Sequence, residues 1–289
     1  MKSNPMTWSV SDSYLLASCP RAIYYKREQH RTGTRSEASV PLHSIVGLSV
    51  HKAIASQLSK WQSGGEVSAL DAEEEASAIL YSIWTSRQHS IVEVLNGAPI
   101  GESLVEDLDR ISRLRTKTFF RMIWPNYQSH TYISHEIDDG FELENAYVSV
   151  RIDLLSRDLD GKYVISDWKT GEPRDSDEHQ FQMNTYALYA HFKRGIPEGA
   201  LQTRLVYLRT GDTIVGTPPR SELQSVAARI KSEVALLTPP IDASEFPARP
   251  THRLCISCSF LRICTEGKGQ VESRKVELAE LEATDIDLQ

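Results

Sequence analysis

The segment "KYVISDWKTG", residues 162–171, begins like a buried strand and ends on charged side chains. Because side chains alternate along a strand, Asp167 and Lys169 share one face and Trp168 points to the other. An acid and a base therefore stand side by side where the apolar pattern should continue. Such a pair is either an ion pair at a strand end or part of a catalytic site, and Asp-x-Lys by itself favours the ion pair.

A second carboxylate, Asp153, interrupts the apolar part of the preceding strand, "VSVRIDLLSRD". The loop between the two strands decides whether the two carboxylates meet. A two-residue loop would turn them to opposite faces, whereas a three-residue loop, residues 159–161, would place Asp153 directly opposite Asp167. We favour the three-residue loop, with Gly161 at positive φ.

Two carboxylates this close repel each other unless a proton or a cation lies between them. A divalent metal with hard oxygen ligands and open positions, Mg²⁺ or Mn²⁺, would satisfy Asp153 and Asp167. Lys169 could orient an attacking water or hold a phosphate oxygen, while the metal lowers the pKa of the water and stabilises the developing negative charge. This chemistry is phosphodiester hydrolysis.

Two further segments supply polar side chains with helical spacing. Gln182 and Tyr186 in "QFQMNTY" are four residues apart, so they share one helical face directly after the strand with the Asp-x-Lys pair. His51 in "VGLSVHKAI" could add a metal-binding ring nitrogen, one turn after Gly47, whose missing side chain would allow close backbone approach. Taken singly, Tyr186 fits a core position as well as a catalytic one, and a surface histidine is the simpler interpretation of His51.

The chain has only four cysteines, and their spacing indicates a metal site. Cys19 stands alone, and Cys255, Cys258 and Cys264 follow as Cys-x2-Cys-x5-Cys. An intracellular chain should not need disulfides, and this grouping is typical of metal ligands. Spacing alone leaves an iron-sulphur cluster and zinc equally acceptable, and four separate buried thiols are a third interpretation.

Periodicity divides the chain into a helical first half and a mixed second half. The predicted helices of the first half run from Ser11 to about Glu28, over 41–62, and around 70–96 and 102–123. Strands are predicted over 131–137, 146–157 and 162–169, followed by a helix at 177–194, strands at 201–209 and 213–217, and a helix at 221–237. This order indicates an α/β core with a helical flank.

Composition excludes some classes of function. The chain has 289 residues with 39 acidic and 32 basic side chains, a net charge of −7, so it is not a uniformly basic nucleic-acid coat. "MKSNPMTWSV" lacks the apolar core of a signal peptide, and we expect a cytoplasmic protein with no membrane partner. Nucleic-acid binding would need local basic patches, and the two available are Arg21, Lys26, Arg27, Arg31 and Arg35, and Arg249, Arg253, Arg262, Lys268, Arg274 and Lys275.

These motifs together resemble the PD-(D/E)xK nucleases, in particular RecB-type and AddB-type nuclease domains and the CRISPR-adaptation exonucleases. The matching segments are Gly47-x3-His51, Arg151-Ile-Asp153, Asp167-Trp-Lys169 and Gln182-x3-Tyr186. The resemblance implies metal ligands at His51, Asp153, Asp167 and the backbone carbonyl of Trp168, and catalytic roles for Asp153, Asp167, Lys169, Gln182 and Tyr186. Val150 departs from the pattern, since many relatives have glycine there.

The same resemblance favours a 4Fe-4S cluster over Zn²⁺ at Cys19, Cys255, Cys258 and Cys264. It implies a restriction-endonuclease-like fold, a mixed central β-sheet flanked by helices, with the cluster joining the N- and C-terminal segments. It further implies a DNA nuclease, most simply a single-stranded DNA exonuclease of repair, recombination or CRISPR adaptation. The alternative is a nucleic-acid-binding subunit of a CRISPR-adaptation or helicase-nuclease complex, and a site-specific restriction enzyme is disfavoured by the cysteines.

On this basis we expect five regions along the chain. They are an N-terminal segment 1–40 with the first cluster cysteine, a helical region 41–130 with the histidine motif, a nuclease core 131–240, a cluster-binding segment 241–270 and an acidic tail 271–289. Strand polarity, exonuclease against endonuclease preference, and oligomeric state do not follow from the sequence.

Overall fold

The computed structural model describes residues 6–33, 40–91, 103–172, 177–238 and 241–273. Its helices are α1 (Val10–Ser18), α2 (Pro20–Thr32), α3 (Leu42–Gln62), α4 (Ala69–Arg87), α5 (Leu104–Thr118), α6 (Asp177–Arg194), α7 (Arg220–Leu237) and α8 (His252–Cys255). Its strands are β1 (Met6–Ser9), β2 (Thr131–Leu143), β3 (Ala146–Arg157), β4 (Tyr163–Lys169), β5 (Leu201–Tyr207) and β6 (Thr213–Gly216). No helix within these ranges combines the length and apolar character needed to cross a bilayer.

The strands form one six-stranded mixed sheet in the order β1-β3-β4-β5-β6, with β2 also paired to β3. β1 is parallel to β3 and β5 is parallel to β4, and the other neighbours are antiparallel. This confirms the predicted mixed sheet with flanking helices, consistent with a restriction-endonuclease-like core.

Strand β3 has an unusual arrangement of neighbours. β2 pairs with it along 146–157 on one edge, so β1 and β4 must share the other edge. There β1 pairs with 146–149 and β4 with 154–157, which leaves 150–153 between them. Because β1 runs parallel and β4 antiparallel to β3, the C-terminal ends of both strands face this gap. Asp153 lies at the gap.

The hairpin between β3 and β4 is the predicted one. Leu154 pairs with Ser166 and Arg157 with Tyr163, a register that continues to place Asp153 opposite Asp167. Gly161 has φ +82°, and the backbone N–H of Asp158 donates to the carbonyl of Lys162 over 2.9 Å. The three-residue loop 159–161 is therefore confirmed.

Several predicted element boundaries in the first half are wrong. The single helix expected from Ser11 to Glu28 is two helices, because Cys19 is extended at φ −152° just before Pro20, whose ring disfavours helical geometry in the preceding residue. The helix expected over 70–96 ends at Arg87 and a 3-10 turn follows, while 92–96 lie outside the described residues. α5 continues through a π-helical turn at Phe119–Ile123, close to the predicted end.

Two strands also differ from the prediction. β1 was not predicted, since a four-residue segment whose only partners are remote in sequence carries no periodic signal. β2 extends to Leu143, six residues beyond the segment predicted as strand.

The chain divides into two compact units by its internal contacts. The sheet unit consists of Met1–Tyr14, Val46–Ser82 and Ser103–Pro240. The cysteine unit consists of Leu15–Ile45, Ile83–Glu102 and Ile241–Gln289. The boundaries of the five predicted regions stay predictions, and most of the acidic tail, 274–289, lies outside the described residues.

In the sheet unit an aromatic cluster fixes the orientation of β4. Trp168 is buried, and its ring makes edge contacts with Phe119 and Tyr127, whose centroids lie 4.9 and 5.7 Å away. Because side chains alternate along the strand, burying Trp168 turns Asp167 and Lys169 to the opposite face. Apolar packing on one face thereby sets the position of the charged pair on the other.

Candidate active site

Asp153 and Asp167 form the centre of a polar cluster in the sheet unit. Each is only 5% exposed, although both are acidic. The backbone N–H of Trp168 donates to Asp153 Oδ2 over 2.6 Å, so the neighbouring strand holds one carboxylate oxygen in place. Burial of two facing carboxylates is costly without a compensating cation or hydrogen bonds.

Lys169, Gln182 and Tyr186 surround the carboxylate of Asp167. Lys169 Nζ lies 2.7 Å from Asp167 Oδ2 and donates to Gln182 Oε1 over 2.7 Å. The Gln182 amide donates to the Tyr186 hydroxyl over 2.7 Å and to Asp167 Oδ1 over 3.3 Å. The structure therefore brings together the Asp-x-Lys pair on β4 and the two predicted residues of α6.

Electrostatics within this cluster favour a bound cation. Burial raises the pKa of Asp167, the attraction of Lys169 opposes this, and the negative charge of Asp153 adds to the increase. Burial also raises the pKa of Tyr186 well above its usual value, with further increases from Asp167 and Asp153, so the phenol stays neutral. A divalent ion beside the carboxylates would relieve their repulsion.

His51 reaches the cluster from α3. Its Nδ1 lies 2.9 Å from Asp153 Oδ1. Burial lowers the pKa of His51, but the charge of Asp153 and this hydrogen bond outweigh that effect and raise the pKa to about 9. The close backbone approach expected at Gly47 is wrong: a Cβ there would lie 3.6 Å from Thr170 Oγ1, an ordinary contact.

Glu136 is a site residue that sequence reasoning missed. The register of β2 and β3, with His135 opposite Leu154 and Ile137 opposite Ile152, places Glu136 opposite Asp153. A carboxylate oxygen of Glu136 lies within 4.8 Å of ligand atoms of His51 and Asp153. In "TYISHEI" nothing distinguishes this acid from a solvated one, and only the register reveals it.

The donor set fits a divalent metal. Among the described residues, His51, Glu136 and Asp153 form the group of three whose ligand atoms all lie within 4.8 Å of one another. One imidazole nitrogen with carboxylate oxygens is a donor set that divalent ions accept. Asp167 lies outside this group of three but directly beside Asp153. The metal-binding role of the Trp168 carbonyl stays a prediction.

The four cysteines lie together in the cysteine unit. All four line one cavity, and none of them is in a disulfide. Gly267 lines the same cavity. A Cβ there would lie 3.4 Å from Cys264 Sγ and 3.6 Å from Cys255 Sγ, so a larger side chain would crowd the two sulphurs. Burial raises the pKa of Cys258 to about 11, so without a neighbouring cation this thiol is protonated at neutral pH.

The predicted basic patches are less available than the sequence indicates. Arg21 donates to the carbonyl of Phe246 and pairs with Glu266, and Arg31 pairs with Glu28. Arg249 donates to the carbonyl of Ala17 over 2.9 Å. These guanidinium groups satisfy local partners, and Arg35, Arg274 and Lys275 lie outside the described residues.

Comparison with known proteins gives one family. The model of the PD-(D/E)XK nuclease superfamily matches residues 7–265. No curated protein matches the chain. Among solved structures, one described as "Crystal structure of SSO0001" is similar at 16% identity over 85% of this chain and 95% of that one, with a TM-score of 0.30, too low to support a structural argument. Since the family match extends over most of the chain, from β1 to beyond the last cysteine, this protein belongs to the PD-(D/E)XK nuclease superfamily.

Proposed function

We propose that the protein is a Mg²⁺- or Mn²⁺-dependent deoxyribonuclease that degrades single-stranded DNA from an end. Membership of the superfamily indicates a metal-dependent nuclease that binds nucleic acid. The observation that carries the proposal is the buried Asp153–Asp167 pair, with His51 on one carboxylate and Lys169 on the other.

In this proposal His51, Asp153, Asp167, Glu136 and the carbonyl of Trp168 hold the ion. The bound metal supplies a water of lowered pKa and charge stabilisation at the phosphate. Lys169 is the residue whose ammonium contacts the attacking oxygen or a phosphate oxygen. Gln182 and Tyr186 orient Lys169 and the Asp167 carboxylate through the hydrogen bonds described above.

We further propose a 4Fe-4S cluster at Cys19, Cys255, Cys258 and Cys264. All four cysteines line one cavity, so their thiols are close enough for one metal centre to join them. Four thiolates suit zinc as well as an iron-sulphur cluster, and the resemblance of the cysteine spacing to the iron-sulphur nucleases supports the cluster. The cluster would join Cys19, directly after α1, to the three cysteines of the C-terminal segment within the cysteine unit.

The cysteine site also supports the RecB/AddB-type or CRISPR-adaptation branch, with proteins of a helicase-nuclease or adaptation assembly as partners. Nuclease activity should be assayed on end-labelled linear and on circular single strands of equal sequence, with Mn²⁺, Mg²⁺ or excess chelator. We expect metal-dependent loss of the linear strand and survival of the circle. Equal cleavage of both would refute the exonuclease assignment, and binding without cleavage would favour the DNA-binding subunit instead.

A further inference from the structure

A polar cavity of about 300 Å³ lies beside the candidate active site in the sheet unit. Its lining residues are Ser9, Val10, Ser11, Asp138, Ser149, Val150, Arg151, Gln182 and Tyr186. Its volume is at the lower end of the range for ligand pockets, roughly 300–1,000 Å³. Gln182 and Tyr186 belong to both places, because each also hydrogen-bonds Asp167.

The sheet topology explains why a cavity opens here. Ser9 is the last residue of β1 and is paired with Ser149, immediately before the gap at 150–153 on the edge of β3. On the other side of that gap β4 ends at Lys169, two residues after Asp167. Ligands of open α/β sheets bind in crevices at the C-terminal ends of strands, where neighbouring strands diverge. The cavity occupies such a crevice.

One polar face of β3 joins the cavity to the carboxylates. Because side chains alternate, Ser149, Arg151 and Asp153 project from the same face, and their neighbours Val150 and Ile152 are buried on the other. Arg151 is two residues from Asp153, a separation of about 7 Å along a strand. A DNA strand lying across this face would pass Arg151 close to the carboxylate of Asp153.

The chemistry of the lining suits a sugar-phosphate rather than a base. The lining offers serine hydroxyls and the guanidinium of Arg151, and these are groups that contact backbone oxygens of nucleic acids. Its one aromatic ring, Tyr186, is only 4% exposed, so it offers no face for base stacking. Recognition here would be independent of base sequence.

The guanidinium of Arg151 has more N–H donors than its ion pair with Asp138 uses. One N–H donates to Asp138 Oδ2 over 3.1 Å, and both side chains are largely exposed, at 74% and 66%. The guanidinium has five N–H groups in a planar fork that matches phosphate. Asp138 therefore orients Arg151 and at the same time opposes an incoming phosphate.

We propose that this cavity binds the sugar-phosphate of the nucleotide next to the scissile bond. Arg151 binds the phosphate, and Asp138 competes with that phosphate for the guanidinium. This inference rests on the proposed nuclease function and extends the site along the DNA strand.

The test measures equilibrium binding of a fluorescent single-stranded oligonucleotide in an Asp167→Asn background that does not cleave. Arg151→Ala should weaken binding by about five- to tenfold, as expected for a charge-assisted phosphate contact. It should also lower the slope of log affinity against log salt concentration by about 0.7, the value for one phosphate contact to a single strand. Asp138→Asn should change affinity in the opposite direction and tighten binding.

Arg110→Ala is the matched control, since Arg110 is 78% exposed and pairs with Asp107 over 2.7 Å outside the cavity. It should leave affinity unchanged. If Arg151→Ala fails to fold, Arg151→Lys and Asp138→Asn decide: the lysine variant should keep the salt slope but bind more weakly.

Equal affinity of the Arg151 and Arg110 variants would overturn the subsite. So would weaker binding in Asp138→Asn, because that result would mean that the ion pair only supports the fold. The wild type separates the two claims: cleavage without dependence on Arg151 refutes the subsite alone, and Arg151-dependent binding without cleavage refutes the nuclease function alone.

Discussion

At the scale of single residues, Glu136 combines backbone strain with a functional position. Its φ of +45° is in the left-handed region, which costs a non-glycine residue on the order of 1–3 kcal/mol. Although Glu136 is exposed at its surface, partial desolvation by its neighbours raises the pKa of its carboxyl group, and the nearby charge of Asp153 raises it further. Two acidic groups held close together disfavour the metal-free state, so a cation that uses the Glu136 carboxylate would account for their arrangement.

We therefore expect Glu136→Gln to weaken metal binding. The metal concentration that gives half-maximal cleavage should rise by about tenfold or more, a loss comparable to that of partners around metal sites. Titration calorimetry with Mn²⁺ measures the affinity directly.

Glu142→Gln on the same strand is the control, because Glu142 is exposed and opposite Tyr147, away from the carboxylates. An unchanged Mn²⁺ affinity in Glu136→Gln would remove Glu136 from the ligand set.

Most of the polar cluster could be predicted from residue types and spacing, and Glu136 could not. Helical spacing placed Gln182 and Tyr186 on one face, and strand alternation placed Asp167 beside Lys169, since both rules act over a few neighbouring residues. The position of Glu136 depends on the register of β2 against β3, which includes an irregularity between Tyr132 and Ser134. A pattern within one strand does not encode that register.

At the scale of elements, the hairpin between β3 and β4 determines which side chains meet. Gly161 supports it at φ +82°, a conformation that costs other L-residues about 1–2 kcal/mol. We expect Gly161→Ala to lower the free energy of unfolding by about that amount, as measured by urea denaturation.

Gly171→Ala is the matched control. Gly171 is not among the glycines with positive φ in the described chain, and a Cβ there would meet no atom within 4 Å. Equal stability of the two variants would mean that the loop does not hold the predicted conformation.

The elements that were predicted well are those set by local chemistry. The loop at 159–161 follows from turn residues and from the alternation of two adjacent strands. The sequence does not reveal β1 because its partner β3 is more than a hundred residues away. It does not reveal the break at Cys19 because apolar periodicity continues across Pro20, which begins α2 but disfavours helical geometry in the residue before it.

At the scale of the whole molecule, the cysteine unit unites segments from both ends of the chain around one cavity. The proposed 4Fe-4S cluster predicts that Cys258→Ser, which removes one ligand, abolishes visible absorption, removes most of the iron and acid-labile sulphide, and lowers the melting temperature. Ser257→Ala is the control and should keep both. Wild-type protein with stoichiometric zinc and no iron would contradict the cluster.

The convergence of the cysteines could be anticipated because few other roles explain such a grouping. The basic patches could not be judged in the same way: Arg21 and Arg249 bond to backbone carbonyls within the cysteine unit, and sequence does not show which charges are already satisfied. Arg151, by contrast, lines a cavity beside the carboxylates and is largely exposed, so it is the residue proposed to contact nucleic acid.

The central claim is that the facing carboxylates of β3 and β4 cleave DNA with a divalent metal. The most direct measurement is the rate of release of labelled fragments from linear single-stranded DNA in Mn²⁺ by the wild type and by Asp167→Asn, with Asp71→Asn as an exposed-acid control. Loss of about 4 kcal/mol of transition-state stabilisation predicts a decrease on the order of 10³-fold in Asp167→Asn and no change in the control. Cleavage by Asp167→Asn at the wild-type rate, or by the wild type in excess chelator, would contradict the account.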